Sequence, residues 1–260
     1  WKRDEGARRQ ALKRASELLF AKAQDIGRTL TLEHGQPLAQ AVGEVMGAAA
    51  QLKSAAAMPL PHEVTRDDAK GKIEVCYRPF GVVAAITPWN FPIMIAMSKI
   101  APALLAGNTM VLKPSPFTPL SSLMMGEVLS QALPPGVLNV VSGDNDIGAL
   151  LTSHPDVRKI TFTGSVATGR KVSQAAAGDF KRVTLELGGN DPAIVLDDAD
   201  PALLAPQLFW SAFMNCGQIC IAVKRVYVPE SMFRTLVEGI AKVAQEAKVG
   251  DGLDPTSQIG

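Results

Sequence analysis

The sequence is poor in cysteine, in aromatic residues and in net charge. Its 260 residues include 3 Cys and 14 aromatic side chains (9 Phe, 3 Trp and 2 Tyr), and 26 basic residues face 25 acidic ones. An odd, small number of cysteines argues against a disulfide framework and is typical of a reducing compartment, so we expect a cytoplasmic protein. A net charge of +1 with so few aromatics predicts no nucleic-acid partner.

A hydrophobic run of the kind that spans a membrane is also missing. Residues 79–98 carry no charge over 20 positions, which is the length of a spanning helix. Pro88 and Pro92 interrupt this segment, and a helix does not accommodate two internal prolines at that spacing. The charged residues 2–5 are not followed by the apolar stretch of a signal peptide. We therefore predict no membrane partner.

The chain does have a strong periodic pattern. Its 260 residues, 47% of them hydrophobic, are enough to bury a sizeable core and predict one large or two ordinary domains. Residues 4–57 have the three- and four-residue apolar spacing of helices, and the polar alternation over 62–79 predicts a protruding β-ribbon. Strand and helix patterns then alternate from residue 81 to residue 195. The predicted strands are 81–87, 109–113, 137–142, 159–163 and 183–187, with helices at 93–106, 118–132, 145–153 and 166–177 between them.

Such an alternation predicts an α/β fold, a doubly wound, Rossmann-like parallel sheet covered by helices. The chain continues with a helix over 201–215, a strand over 225–228 and an amphipathic helix over 231–248, which indicate the start of a second α/β domain. We place the first domain at residues 1–187, including the ribbon at 59–79, and the second at residues 188–260.

The residues with chemical potential follow the predicted strands. Because parallel strands end at one edge of a sheet, these residues are expected to meet where doubly wound folds bind nucleotides. The segment Gly164–Gly169 (Gly-Ser-Val-Ala-Thr-Gly) places small residues and backbone N–H groups at a helix start, which suits a pyrophosphate. By itself, it is equally compatible with an ordinary strand-to-helix turn. The four strand-end segments are Pro88-Trp89-Asn90, Lys113-Pro114-Ser115, Phe162-Thr163-Gly164-Ser165 and Glu186-Leu187-Gly188-Gly189.

Two cysteines, Cys216 and Cys220, raise two further possibilities. A zinc site built on them lacks partners, because the three His residues and Cys76 are scattered along the sequence, and we predict no metal site. A nucleophilic cysteine needs a base and an oxyanion donor, for which Glu186 and Asn90 are available. A cysteine considered in isolation is more often an inert packing residue.

Five segments together resemble the aldehyde dehydrogenase superfamily. They occur in that family's order and with its approximate spacing, including 34 residues from Glu186 to Cys220, and the likeness covers essentially the whole chain. The segments are Ile86-Thr87-Pro88-Trp89-Asn90-Phe91-Pro92, Lys113-Pro114-Ser115, Phe162-Thr163-Gly164-Ser165, Leu185-Glu186-Leu187-Gly188-Gly189 and Gly217-Gln218-Ile219-Cys220.

The resemblance implies a catalytic set. Cys220 would attack the aldehyde carbon, and the side-chain amide of Asn90 with the backbone N–H of Cys220 would hold the oxyanion. Loss of hydride to NAD(P) would leave a thioester, which water activated by Glu186 would hydrolyse to a carboxylic acid. Lys99 corresponds to a family lysine near the oxyanion and the water path.

The resemblance also implies a cofactor site. Lys113 would bind the adenosine ribose, Gly143 would line the adenine cleft and Ser165 would contact the pyrophosphate. Many NAD-preferring members have Glu three residues after the lysine, where this chain has Pro116, so we expect NAD with NADP also possible. The full set is Ile86, Thr87, Pro88, Trp89, Lys113, Ser115, Gly143, Phe162, Thr163, Gly164, Ser165, Leu187 and Gly188.

The family's chains are longer than this one, and the family's downstream Glu-Ile-Phe-Gly-Pro motif is absent here. We therefore expect a partial chain with little dehydrogenase activity by itself, and a homo-oligomer (dimer or tetramer) at full length. The ribbon at 59–79 resembles part of the family's oligomerisation domain. Two alternatives stay open. One is a non-catalytic dinucleotide-binding fragment, and the other is an acyltransferase or redox sensor built on Cys216 and Cys220.

Overall fold

The chain begins with three helices that form one side of the main core. The structure, a computed structural model, describes residues 1–260. Leu12, Leu19 and Ile26 are fully buried, as the apolar spacing predicts. No helix has the combination of length and hydropathy needed to cross a lipid bilayer. The three helices are α1 (Glu5–Ala21), α2 (Ala23–His34) and α3 (Leu38–Ala57).

A two-stranded antiparallel hairpin follows the helices. Its strands are β1 (His62–Asp68) and β2 (Gly71–Cys76), and every residue of both is exposed. Gly71 turns the chain with a φ of +130°, a conformation that strongly favours glycine. The prediction of a protruding ribbon is confirmed.

A parallel five-stranded sheet forms the centre of the fold. In sheet order its strands run β5-β4-β3-β6-β7, so the first strand, β3, is central and the chain builds outward on each side of it. The order reverses between β3 and β6, which creates the crevice where doubly wound folds bind ligands. The predicted fold class is confirmed. The strands are β3 (Val82–Ile86), β4 (Thr109–Lys113), β5 (Leu138–Val140), β6 (Val157–Thr163) and β7 (Arg182–Glu186), and the helices are α4 (Pro92–Leu105), α5 (Leu120–Ser130), α6 (Asn145–Ser153) and α7 (Val166–Ala177).

The two faces of this sheet differ in polarity. On one face, Val83 and Ala85 of β3 join Met110 of β4 in the large core shared with α1, α3, α4 and α5. On the other, Ala84, Ile160 and Phe162 pack with α7 in a smaller cluster. The first face becomes polar on β6 and β7. Since side chains alternate along a strand, the register places Lys159, Thr161, Thr163, Arg182, Thr184 and Glu186 there.

The carboxyl-terminal part forms a separate small α/β layer. A strand that the sequence did not predict, β8 (Asp191–Ile194), pairs in parallel with β9 (Val223–Tyr227). Between them lie α8 (Pro201–Phe213) and a short 3₁₀ turn (Met214–Gly217), and α9 (Glu230–Glu246) follows β9. Val195, Ala205 and Leu236 form the core of this layer.

Candidate active site

A cavity of about 630 Å³ lies over the polar half of the central sheet. It is bounded by α4 on one side and by β6 and β7 on the other. Lys99, Glu186 and Cys220 all line it, although they are far apart in sequence. Three of the four predicted catalytic residues are thus brought to one space, and Cys220 is its only thiol.

The turn before Cys220 has an uncommon backbone. Asn215, Cys216 and Gly217 have φ angles of 52°, 56° and 73°, so three consecutive residues are left-handed. Asn and Gly tolerate this region better than most residues. The turn ends α8 at Phe213, two residues earlier than the predicted limit, because no right-handed helix continues through these angles.

Two hydrogen bonds join this turn to the loop that carries Asn90, the fourth predicted catalytic residue. Asn90 Nδ2 donates to the backbone oxygen of Gln218 over 2.8 Å, and the buried Asn215 Nδ2 donates to the backbone oxygen of Asn90 over 3.1 Å. An amide nitrogen has two N–H groups. One N–H of Asn90 therefore holds the loop and the other has no partner, but Asn90 itself is not among the residues that line the cavity.

Lys224 secures the segment from the other side. Its Nζ donates to the backbone oxygens of Ile219, Cys220 and Ala222 over 3.0, 3.1 and 2.9 Å. Gly189 passes so close that an added Cβ would lie 2.3 Å from the backbone oxygen of Cys220. Gly189 thus lets the chain leaving β7 pass against the cysteine segment. Sequence reasoning missed the role of Lys224, since no motif in the neighbouring sequence distinguishes it from other lysines.

Glu44 is a second residue that sequence reasoning missed. Its buried carboxylate accepts hydrogen bonds from the backbone N–H groups of Ile93 (2.9 Å) and Met94 (3.0 Å) and from Gln36 Nε2 (3.1 Å). It caps the start of α4 across the core, directly after the Asn90 loop. Burial raises the pKa of Glu44, although these three hydrogen bonds oppose the rise. The sequence offered one signal for this role: Glu44 is a single acidic residue within the apolar pattern of α3.

Lys99 is the most perturbed charge in the cavity. Its pKa is lowered to about 8, mainly by burial; attraction to Glu186 opposes the shift and repulsion from Lys159 adds to it. Its Nζ donates to Thr161 Oγ1 over 3.2 Å. The pKa of Lys159 is also lowered, by burial and by Arg182. The cavity therefore holds the carboxylate of Glu186 together with two lysines, Lys99 and Lys159, whose charged forms are disfavoured by burial.

Replacing Lys99 with Met is expected to change the pH dependence of stability. Between about pH 8 and 10.5 the unfolded lysine keeps a proton that the folded one has lost, so this residue makes the unfolding free energy rise with pH. At pH 7 the unfolding free energy of Lys99→Met should exceed that of the parent by up to about 3 kcal/mol, the equivalent of the shift from 10.5 to about 8, and the difference should vanish above pH 10.5. Urea unfolding at several pH values measures it. The control is Lys53→Met on the exposed side of α3, and an equal effect there would contradict the assignment.

The edge formed by the ends of β3, β4 and β6 carries the predicted cofactor residues. Lys113 is buried, and its Nζ donates only to the backbone oxygen of Pro114 over 3.0 Å. Its pKa is lowered by burial, against the attraction of Asp144 and Asp146. Thr87 Oγ1 and Thr163 Oγ1 are buried with no hydrogen-bond partner. Unpaired buried hydroxyls are uncommon, and they suit a polar ligand.

The start of α7 adds donors to this edge. Ser165 caps the helix by accepting from the backbone N–H of Thr168 over 3.2 Å. The other N–H groups of the first turn have no partner within the helix, an arrangement that binds phosphate. Gly164 and Gly169 allow close packing, since a Cβ on them would lie 2.6 Å from Phe162 and 2.7 Å from Leu187.

The remaining predicted residues occupy varied surroundings. Trp89 lies with its ring centroid 5.8 Å from that of His34, and Ser115 Oγ accepts from the backbone N–H of Phe117 over 3.2 Å. Gly143 faces Ile147, Ile86 lies near Gly148, and Gly188 has open space around its Cα.

Pro88 is half-buried. Cys216 is exposed, and its Sγ contacts the backbone oxygen of Gly260 at 3.2 Å.

The fold and this edge define a doubly wound α/β chain with the features of a dinucleotide-binding protein, on which a cysteine, a glutamate and a lysine share one cavity. The sequence profile described as "Aldehyde dehydrogenase family" matches residues 1–260. The chain belongs to the aldehyde dehydrogenase family, which confirms the resemblance.

Individual relatives that resemble this chain carry the names of aldehyde or semialdehyde dehydrogenases. The chain is 42% identical over 259 residues to the mitochondrial succinate-semialdehyde dehydrogenase of Arabidopsis thaliana, covering 97% of this chain and 49% of that one. It is 42% identical over 248 residues to the succinate-semialdehyde dehydrogenase [NADP(+)] GabD of Escherichia coli K12, covering 94% and 52%. The solved structure of an NAD-dependent aldehyde dehydrogenase from Sinorhizobium meliloti superposes with a TM-score of 0.96 at 36% identity, covering 100% and 53%. The chain thus spans about half the length of these relatives.

Proposed function

We propose that this chain is the cofactor-binding and nucleophile-bearing part of an NAD(P)-dependent enzyme that oxidises an aldehyde to a carboxylic acid. The observation that carries the proposal is the convergence of Cys220, Glu186 and Lys99 on one cavity, beside an Asn90 loop bonded to the nucleophile's turn. Family membership supports aldehyde oxidation as the reaction.

In this proposal, the thiolate of Cys220 attacks the aldehyde carbon. The developing oxyanion is held by the free N–H of the Asn90 amide and by the backbone N–H of Cys220. The bonds from Asn215 and Lys224 keep the cysteine segment in place, so that the nucleophile is positioned before the substrate arrives.

The residues at the sheet edge fit a dinucleotide. Lys113 and the unpaired Thr87 and Thr163 hydroxyls would bind its ribose and phosphate oxygens, and the start of α7 would take the pyrophosphate. A nicotinamide bound in the crevice supplies the two-electron acceptor for the reaction. Two relatives name their cofactors, NADP(+) in one and NAD in the other, and Pro116 places no acidic side chain against a 2′-phosphate.

Glu186 acts on the thioester that remains on Cys220. Its carboxylate lies in the same cavity and takes a proton from water, which attacks the acyl carbon and releases the acid. Lys99 lines the same cavity, and attraction to Glu186 raises the pKa of the lysine against the effect of its burial. We also propose a boundary between two domains at residues 187 and 188, which falls between the central sheet and the β8-β9 layer. The full-length enzyme is proposed to be a homo-oligomer.

Protection of Cys220 from alkylation tests the proposal on the 260-residue chain. Iodoacetamide labelling of each cysteine is followed by mass spectrometry, with NAD⁺, NADP⁺ or an aldehyde added. Cys220 should be labelled more slowly with cofactor or aldehyde present, whereas Cys76 on the hairpin serves as an internal control and should not respond. Labelling rates without ligand decide nothing, since Cys76 and Cys216 are more exposed than Cys220.

The same experiment separates the alternatives. Protection by cofactor but not by aldehyde would favour a dinucleotide-binding fragment without catalysis. Rapid formation of a Cys216–Cys220 disulfide would favour the redox sensor, and transfer of an acyl group to Cys220 from an added thioester, without cofactor, would favour the acyltransferase. No protection by any ligand would contradict the proposed site.

A further inference from the structure

The hairpin brings His62 on one strand next to Glu74 and Cys76 on the other, and all three side chains are of types that bind metals. His62 is the first residue of β1 and Cys76 the last of β2, and the register makes them direct partners. Glu74 pairs with Val64, two residues further along each strand. Because side chains alternate between the two faces of a ribbon, His62, Glu74 and Cys76 lie on the same face.

Their donor atoms are close to the geometry of a metal site. The imidazole nitrogen, the carboxylate oxygen and the sulfur lie within 4.8 Å of one another, and His62 Nε2 is 4.0 Å from Glu74 Oε2. Ligand atoms that share a Zn²⁺ ion are about 3.3–3.8 Å apart, given metal–ligand distances of about 2.0–2.3 Å. Exposed side chains can close that gap by rotation, without a backbone shift.

The neighbourhood also orients the carboxylate. Lys72, on the same strand and face, forms an ion pair with Glu74 Oε1, which leaves Oε2 directed toward His62. One nitrogen, one oxygen and one sulfur ligand match the preferences of a borderline divalent cation such as Zn²⁺, and do not suit Mg²⁺ or Ca²⁺.

We propose that His62, Glu74 and Cys76 form a Zn²⁺-type site at the base of the hairpin, with water completing the coordination. The proposal replaces the prediction of no metal site, which rested on the sequence separation that the hairpin removes. It is independent of the active site, because both strands are exposed on a ribbon separate from the cavity-lining residues. Binding releases the thiol proton, so affinity should rise with pH.

Titration of the 260-residue chain with Co²⁺ tests the site. Co²⁺ takes up zinc sites and gives a thiolate charge-transfer absorption together with visible bands that report its coordination. We expect one equivalent to bind, loss of the charge-transfer band in Cys76→Ser, and apparent affinity at least about tenfold weaker in His62→Gln and in Glu74→Gln. Zn²⁺ should displace the Co²⁺ and slow alkylation of Cys76.

Cys216→Ser and Cys220→Ser are the matched controls, since each removes a thiol elsewhere in the chain. They should leave the band and the affinity unchanged. A band that survives in Cys76→Ser, one that disappears in Cys220→Ser, or the absence of any one-to-one binding would each overturn the proposal. His62, Glu74, Cys76 and Cys216 are exposed and Cys220 is half-buried, so circular dichroism should show the parent fold in all of the variants.

Discussion

Replacing Cys220 with alanine is expected to lower aldehyde oxidation by about 10⁴-fold or more. Cys220 is the only thiol lining the cavity. Without it no covalent adduct forms, so both the attack and the later hydrolysis lose their common intermediate. The measurement is the rise of NADH or NADPH absorbance with a panel of aldehydes. Because this chain spans about half the length of its relatives, turnover is measured on the whole gene product that contains it.

Cys216→Ser is the control for this experiment. Cys216 lies four residues before Cys220 and is equally a cysteine, but its sulfur contacts the backbone oxygen of Gly260 and does not line the cavity. The variant should oxidise aldehydes at close to the parent rate. If the two variants were equally inactive, the chemistry would depend on the cysteine pair, as the redox-sensor alternative requires. If Cys220→Ala kept most of the activity, the nucleophile would be misassigned.

Much of the fold was predictable because strand and helix periods alternate clearly after residue 81. The predicted helices at 145–153 and 166–177 coincide with α6 and α7, and strand 109–113 coincides with β4. The missed strand, β8, has only four residues and contains Pro192, which lowers any strand prediction. The end of α8 was placed too late, since its apolar pattern continues into a turn whose left-handed backbone leaves no mark in hydrophobicity.

The site was predictable only to the level of its motif residues. Those residues stand at strand ends, where topology brings them together, so their convergence follows from the sheet order. The positioning contacts do not follow in this way. Glu44 reaches α4 from α3, Asn215 reaches the Asn90 loop, and Lys224 bonds to carbonyl oxygens that have no side-chain signature. Contacts between side chains and backbone atoms of distant segments require the folded geometry.

The His62, Glu74 and Cys76 cluster shows the same limit for ligand sets. Metal motifs are recognised in sequence when their ligands recur at short, regular spacings. Here two ligands lie at opposite ends of a hairpin, and only the strand register makes them neighbours. A one-residue change of register would place Glu74 and Cys76 on the face opposite His62, so the site depends on the turn at Gly71 as well as on its own residues.

Glu186→Gln is expected to separate the two halves of the reaction. Glutamine has the same shape but accepts no proton from water, so formation of the thioester continues while its hydrolysis slows by about 10²–10⁴-fold. Rapid mixing should therefore show a burst of NADH or NADPH of about one equivalent per site, followed by a slow steady state, and mass spectrometry should find the acyl group on Cys220. Loss of the negative charge also removes an attraction that raises the pKa of Lys99. The pKa of this lysine should therefore fall from about 8 to a lower value.

Glu238→Gln provides the matched control for that change. Glu238 lies exposed on α9 and pairs with Arg234, outside the cavity, so both the burst and the steady state should resemble those of the parent. An unchanged steady state in Glu186→Gln would show that another group activates the water. A burst lost together with the steady state would place Glu186 in the first half of the reaction, as the base that deprotonates Cys220. Only slow hydrolysis of an accumulated thioester fits a carboxylate that faces Lys99 and acts on water in the shared cavity.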